Sequence, residues 1–228
     1  MSAVVDPQTL GAVKSAQPQA ADSQQVLLDW PQHRSPLTIW QRRLPTALSA
    51  AAALFAKRQA PYEHRLTWSP TEPLPDLSPA LNALNPAASE ADRSWIADDC
   101  LGLIQLAGQL AQSLSGELST DQLAIRLERV TGDGCRLFHV DRLVARLICT
   151  WTGPGTEWLP EGSFDRSGLG CGCNDHVLDF DARRQLLCGD VALLRGDLCR
   201  GFEGKGLVHR SPPGVAGKAR LLIAIDLR

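Results

Sequence analysis

The chain has 228 residues, 44% of them hydrophobic and 21% charged, a balance that suits a folded globular protein and excludes wholesale disorder. Its net charge of −2 excludes the strongly basic surface that nucleic-acid binding requires. The longest apolar stretch, Ala47 to Ala56, is ten residues and includes Ser49, and a membrane-spanning helix needs about 20.

The length fits one full domain with an extension. Residues 1–25, rich in Ala, Gln, Ser, Asp and Pro, read as a mobile leader without a secretory signal. Residues 26–120 read as a helical region packed on a core. Within it, residues 38–58 carry Ile39, Leu44, Leu48 and Leu54 on one stripe together with an alanine run, and predict a helix. Pro45 either kinks that helix or marks the first turn of the true one. Prolines 70, 73, 75 and 79 mark a connector, with a short helix at Leu77–Leu84. Residues 92–115 predict the second strong helix, with Trp95, Cys100 or Leu101, Ile104, Leu106 and Leu110 as its apolar face and Gly116 as its stop.

From residue 123 the hydrophobic period becomes two. LAIRLERV, CRLFHVDR and VARLICTW alternate, and TEWLP follows a turn at Gly153-Pro154-Gly155. RQLLC, DVALLRG, GLVHRS and ARLLIAIDL come after, separated by glycines. Short strands at this spacing predict a β-sandwich or barrel over residues 121–228.

Within that region His139 and Asp141 stand two apart in a predicted strand. Their side chains share a face, with Cα atoms about 6.6 Å apart, so an imidazole and a carboxylate can close on one ion. His209 lies in a later strand and Arg220 follows it by 11 residues. Two imidazoles and a carboxylate make the facial triad of non-haem Fe(II) oxygenases, which leaves positions open for a keto acid and dioxygen. An arginine can hold the keto acid's distal carboxylate bidentately. Arg210 and Arg146 are the other candidates for that carboxylate, although strand alternation turns Arg210 away from His209.

FHVD at 138–141, GDVALLRG at 189–196, VHRSPPG at 208–214 and KARLLIAIDL at 218–227 resemble the jelly-roll core of the Fe(II)/2-oxoglutarate-dependent oxygenase superfamily. The string RLFHVDRLVARLICTWTGPGTEWLP, together with Ile39–Arg42, resembles a bacterial domain-of-unknown-function family with the GPGTEWLP motif. The broader resemblance implies a mainly β fold with N-terminal helices, a double-stranded β-helix of cupin-like type. It implies His139, Asp141 and His209 as iron ligands and Arg220 as the anchor of 2-oxoglutarate. Two residues after Arg220 the superfamily often has Ser or Thr, and this chain has Leu222.

The expected function is therefore a cytoplasmic Fe(II)- and 2-oxoglutarate-dependent oxygenase acting on a small molecule or peptide, without nucleic-acid or membrane partners. The alternatives are a non-enzymatic cupin-like metal-binding protein, holding Zn or Fe, and a catalytically inactive jelly-roll binding module. Trp151, Glu157 and Trp158 are candidates for the substrate pocket.

The seven cysteines are Cys100, Cys135, Cys149, Cys171, Cys173, Cys188 and Cys199. An odd count without a signal peptide points to reduced thiols. Cys171, Cys173 and His176 supply three soft donors for a second metal, such as Zn with Cys188 or Cys199 as a fourth ligand, or form a redox loop.

Overall fold

The structure is a computed structural model, which describes residues 17–58, 60–114, 116, 118–214 and 217–228. Residues 1–16 of the expected leader lie outside it. Ten strands and four α-helices follow one another along the described chain. They are β1 (Gln19–Ala21), α1 (Gln25–Leu28), β2 (Leu37–Trp40), α2 (Thr46–Ala56), β3 (Tyr62–Trp68), α3 (Ser78–Leu84) and α4 (Glu90–Ser113). After these come β4 (Leu123–Val130), β5 (Ala145–Thr152), β6 (Glu157–Trp158), β7 (Arg184–Gln185), β8 (Val191–Arg195), β9 (His209–Arg210) and β10 (Arg220–Leu227).

Seven strands make the major sheet in the order β1-β2-β8-β5-β10-β4-β3, and β7-β6-β9 make the minor one. Only β1 and β2 pair in parallel; antiparallel pairing carries the rest of both sheets. This is the expected mainly β, double-stranded β-helix architecture with helices buttressing one sheet.

Period-two alternation assigns the two faces of the major sheet. Leu123, Ile125 and Leu127 of β4, Leu147, Cys149 and Trp151 of β5, and Leu221, Ile223 and Ile225 of β10 join the core beneath α2 and α4. The opposite face sends Ile148, Ala192, Leu194, Leu222 and Ala224 into a second core with Leu186, Leu207 and Trp158. That second core fills the space between the sheets. With both faces covered, every residue of β10 is buried.

Arg129 ties the layers together by donating to the carbonyls of Phe55 at 3.1 Å, Leu84 at 2.8 Å and Ala60 at 2.7 Å. The first two are carbonyls from the last turns of α2 and α3, which a helix leaves unsatisfied.

Several expectations are corrected. Residues 38–58 are not one helix: Leu37–Trp40 pair with β8, and α2 starts only after Pro45. Thr38 and Ile39 are β-branched and suit the strand that pairs with β8, and Pro45 sets the boundary of the helix. Residues 26–120 are not wholly helical, because β2 and β3 belong to the major sheet. Gln19–Ala21 of the expected leader form an edge strand on β2.

Helix α4 begins two residues early, where Ser89 and Asp92 form a capping box. Trp95 is 43% exposed, because the buried stripe runs through Ile96, Cys100, Leu103, Ala107 and Leu110 instead. CRLFHVDR forms no extended strand; His139 alone makes an isolated bridge, to His209. The Phe138 amide spends its hydrogen bond on the Asn174 side chain, at 2.8 Å, rather than on a neighbouring strand. Among the described residues no helix is long and apolar enough to cross a membrane.

Candidate metal centre

The isolated bridge places the two histidines side by side. The His139 amide donates to the His209 carbonyl and the His209 amide to the His139 carbonyl, both at 3.0 Å. The imidazole centroids are 4.6 Å apart. Each ring is fixed in the same way: Nδ1 lies 2.9 Å from the Leu137 carbonyl in His139 and 3.0 Å from the Leu207 carbonyl in His209. A carbonyl oxygen only accepts, so both Nδ1 atoms carry hydrogen and both Nε2 lone pairs are left for another partner.

That partner direction is shared with Asp141. His139 Nε2 is 3.5 Å from Asp141 Oδ1, and His209 Nε2 is 3.3 Å from Oδ2. Donor atoms about 2.1 Å from one ion and at right angles are about 3 Å apart. His139, Asp141 and His209 are the one group of three among the described residues whose donors converge closely enough to hold a metal. The chemistry of the set fits a divalent transition metal: two neutral imidazoles tautomerically fixed by carbonyls, and a carboxylate.

The electrostatics keep that carboxylate ionised. Burial pushes the Asp141 carboxyl up, but its close contacts with His139 and His209, with the charge of Arg146, more than offset it and hold it well below the usual range. Burial works against protonation of His139, yet bonding to Asp141 and to the Leu137 carbonyl raises it overall.

Arg220 opens β10 on the face between the sheets. It is 4% exposed, its Nε has no hydrogen-bond partner, and no carboxylate among the described residues forms an ion pair with it. Burial pushes its guanidinium down to about 10, against the milder pull of Glu128. Gly153 makes room for it: φ is +85°, and a Cβ there would lie 2.8 Å from Arg220 Cγ. The site thus needs glycine for backbone conformation and for space.

The other candidates sit elsewhere. Arg210 points to the far side of the minor sheet, donating to Glu157 Oε2 at 2.7 Å with its guanidinium over the Phe138 ring. Glu157 is buried in that pair, so neither residue faces the triad. Arg146 is engaged by two carboxylates, Asp141 at 2.8 Å and Asp226 at 2.6 Å. Trp151 is fully buried on the helix side and donates to Asp99 at 2.6 Å, which removes it from any substrate pocket. Trp158 pairs with His209 across β6 and β9 and packs on the core between the sheets; it is the one pocket candidate beside the triad.

The cysteine loop holds a disulfide between Cys171 and Cys173 in place of two free thiolates, which also corrects the expectation of reduced thiols throughout. His176 is buried with Nε2 unpartnered, and its Nδ1 is 4.0 Å from Cys171 Sγ. Cys188 donates to the Trp151 carbonyl, and Cys199 accepts from Arg195, so neither closes a tetrahedron with the loop.

Asp226 was not among the expected site residues. Its signal was an acid inside the apolar run LLIAIDL, which demands a buried cationic partner.

A family model described as "Protein of unknown function (DUF1826)" matches residues 21–226. The chain belongs to the DUF1826 family. No curated protein matches the sequence of this DUF1826 chain. Among solved structures it is similar to dioxygenase for auxin oxidation 1 from Arabidopsis thaliana, in a binary complex with 2-oxoglutarate. That likeness covers 93% of this chain and 92% of the other at 16% identity, with a TM-score of 0.50. The rice dioxygenase for auxin oxidation matches at 16% identity over 93% of this chain and 82% of that one, with a TM-score of 0.49. JOX2, in complex with 2OG, Fe and JA, matches at 11% identity over 95% and 77%, with a TM-score of 0.49. At 16% identity the first of these likenesses shows a shared fold, the double-stranded β-helix.

Proposed function

We propose that this protein is a non-haem Fe(II)- and 2-oxoglutarate-dependent oxygenase that hydroxylates a C–H bond of a small molecule or peptide. The observation that carries the reading is the convergence of two tautomerically fixed imidazoles and one ionised carboxylate on a single point. His139, Asp141 and His209 would hold the ion, which fits their donor chemistry. When bound, Fe(II) supplies the activation of dioxygen coupled to oxidation of the keto acid.

The chain's own residues supply the rest. The Leu137 and Leu207 carbonyls keep both Nε2 lone pairs aimed at the ion. Arg220 offers a buried, otherwise uncompensated cation to the distal carboxylate of the keto acid, which separates this reading from a plain metal-binding jelly roll. Leu222 and Ala224, on the same face of β10, make the wall between the sheets apolar and exclude water from the reacting groups.

The test is anaerobic titration of the Fe(II)-loaded protein with 2-oxoglutarate, followed by succinate release in air. A saturable metal-to-keto-acid absorbance band and uncoupled succinate production are expected. Tight metal binding with neither signal would refute the oxygenase reading.

A further inference from the structure

Asp141 is held by more than its two imidazoles. Arg146 on β5 stands opposite Asp226 on β10. Its Nε and Nη2 donate to Asp226 Oδ1 at 2.6 Å and Oδ2 at 3.1 Å. This fork uses one edge of the guanidinium and leaves Nη1 against Asp141 Oδ2, at 2.8 Å. All three side chains are secluded, with exposures of 16% for Arg146, 12% for Asp141 and 6% for Asp226. Asp141 Oδ2 is buried, with Arg146 Nη1 at 2.8 Å and the uncharged Nε2 of His209 at 3.3 Å, so Arg146 is its cationic contact.

A carboxylate can bind a metal through one oxygen or both. With both oxygens on the ion, Asp141 and the two histidines would fill four of six positions. Too few would then remain for a chelating keto acid and dioxygen together. We propose that Arg146, oriented by Asp226, keeps Asp141 Oδ2 off the metal, so that Asp141 donates through Oδ1 alone and three positions stay open.

The proposal rests on the metal site described above and extends it to a positioning pair outside the triad. The arrangement is suited to the task. Asp226 lies directly opposite Arg146 in a strand pair buried on both faces, so the guanidinium cannot swing without breaking a bidentate bond. The same engagement explains why Arg146 is unsuited to anchoring a keto acid, since both of its donor edges already face carboxylates.

The measurement is the number of water molecules on bound Mn(II), read from water-proton relaxation, alongside Mn(II) affinity and circular dichroism. The wild-type protein is expected to carry about three waters, one for each open position. Arg146→Met is expected to bind Mn(II) with about two, because the released Oδ2 joins the ion. Arg146→Lys, which keeps a cation near Oδ2, is expected to restore the wild-type count. Arg146→Met alone strands the Asp226 carboxylate; if it fails to fold, the double variant Arg146→Met/Asp226→Leu takes its place.

Three waters on a folded, Mn(II)-bound Met variant would overturn the proposal. A wild-type protein that binds no Mn(II) would overturn it together with the metal-site reading. A drop from three waters to two supports the role of Arg146 even if 2-oxoglutarate produces no absorbance band.

Discussion

Arg220 is expected to weaken the fold that contains it. It is 4% exposed, no carboxylate among the described residues forms an ion pair with it, and burial pushes its guanidinium down to about 10 against the weaker pull of Glu128. Each tenfold change in proton affinity is worth about 1.4 kcal/mol, so keeping this side chain charged costs the folded state on the order of 3 kcal/mol. The sign follows from which state holds the proton more tightly. The unfolded chain binds it better, so the penalty is complete at every pH below about 10 and fades only above that.

Arg220→Met replaces the charge with a flexible apolar side chain of similar reach, against Leu222 and Gly153. Urea denaturation of the metal-free protein at pH 7 should show a gain of about 1–3 kcal/mol, the lower end allowing for imperfect packing. Binding of 2-oxoglutarate should be lost at the same time. Ligand at 100 times its dissociation constant stabilises a protein by about 2.7 kcal/mol, and this increment should appear in the metal-loaded wild type and vanish in the variant. A destabilised variant, or one that keeps the 2-oxoglutarate increment, would refute the reasoning.

Removing any one of the three donors should weaken metal binding by at least about 100-fold while preserving the circular dichroism spectrum. Calorimetric Mn(II) titration of His139→Ala, Asp141→Asn and His209→Ala checks this, and undiminished binding in any of them removes that residue from the site. Metal affinity should also fall with acidification, by on the order of tenfold per pH unit once the His139 imidazole protonates, because proton and metal compete for Nε2. That imidazole is raised above its ordinary value, so the fall should begin at a higher pH than an ordinary imidazole would give; titrations at pH 8, 7 and 6 with flat affinity would contradict it. Gly153→Ala should destabilise by about 1–2 kcal/mol, since φ there is +85° and the new methyl meets Arg220. It should weaken 2-oxoglutarate binding more than Mn(II) binding, and the reverse order would separate Gly153 from the anchor.

Much of the strand pattern around the candidate metal centre was legible in the sequence because it rests on local spacing. A two-residue period marks LAIRLERV, VARLICTW and ARLLIAIDL as strands wherever one face is apolar. His139 and Asp141 do converge with His209, but through an isolated bridge between the two histidines rather than through the strand that the spacing predicts. Tyr62, Leu66 and Trp68 alternate with Glu63, Arg65 and Thr67, so β3 was also written in the sequence, between segments that resemble helices.

Tertiary structure alone decided the rest. Thr38, Ile39 and Trp40 favour an extended backbone, but four residues next to a helical pattern become a strand only through pairing with β8. His139 needed no strand around it, only one rung to His209, while Asn174 took the next amide. The partnership of Arg146 with Asp226 spans 80 residues and depends on the register of β5 against β10. Trp151 and Trp158 look equivalent in sequence, yet they stand on different sheets, the first under the helices and the second beside His209. Local spacing encodes which donors are offered and on which face. Long-range strand pairing decides which buried charges meet, as Arg146 meets Asp226 across β5 and β10, while Arg220 stays buried with no ion pair among the described residues, a costly placement for a charge.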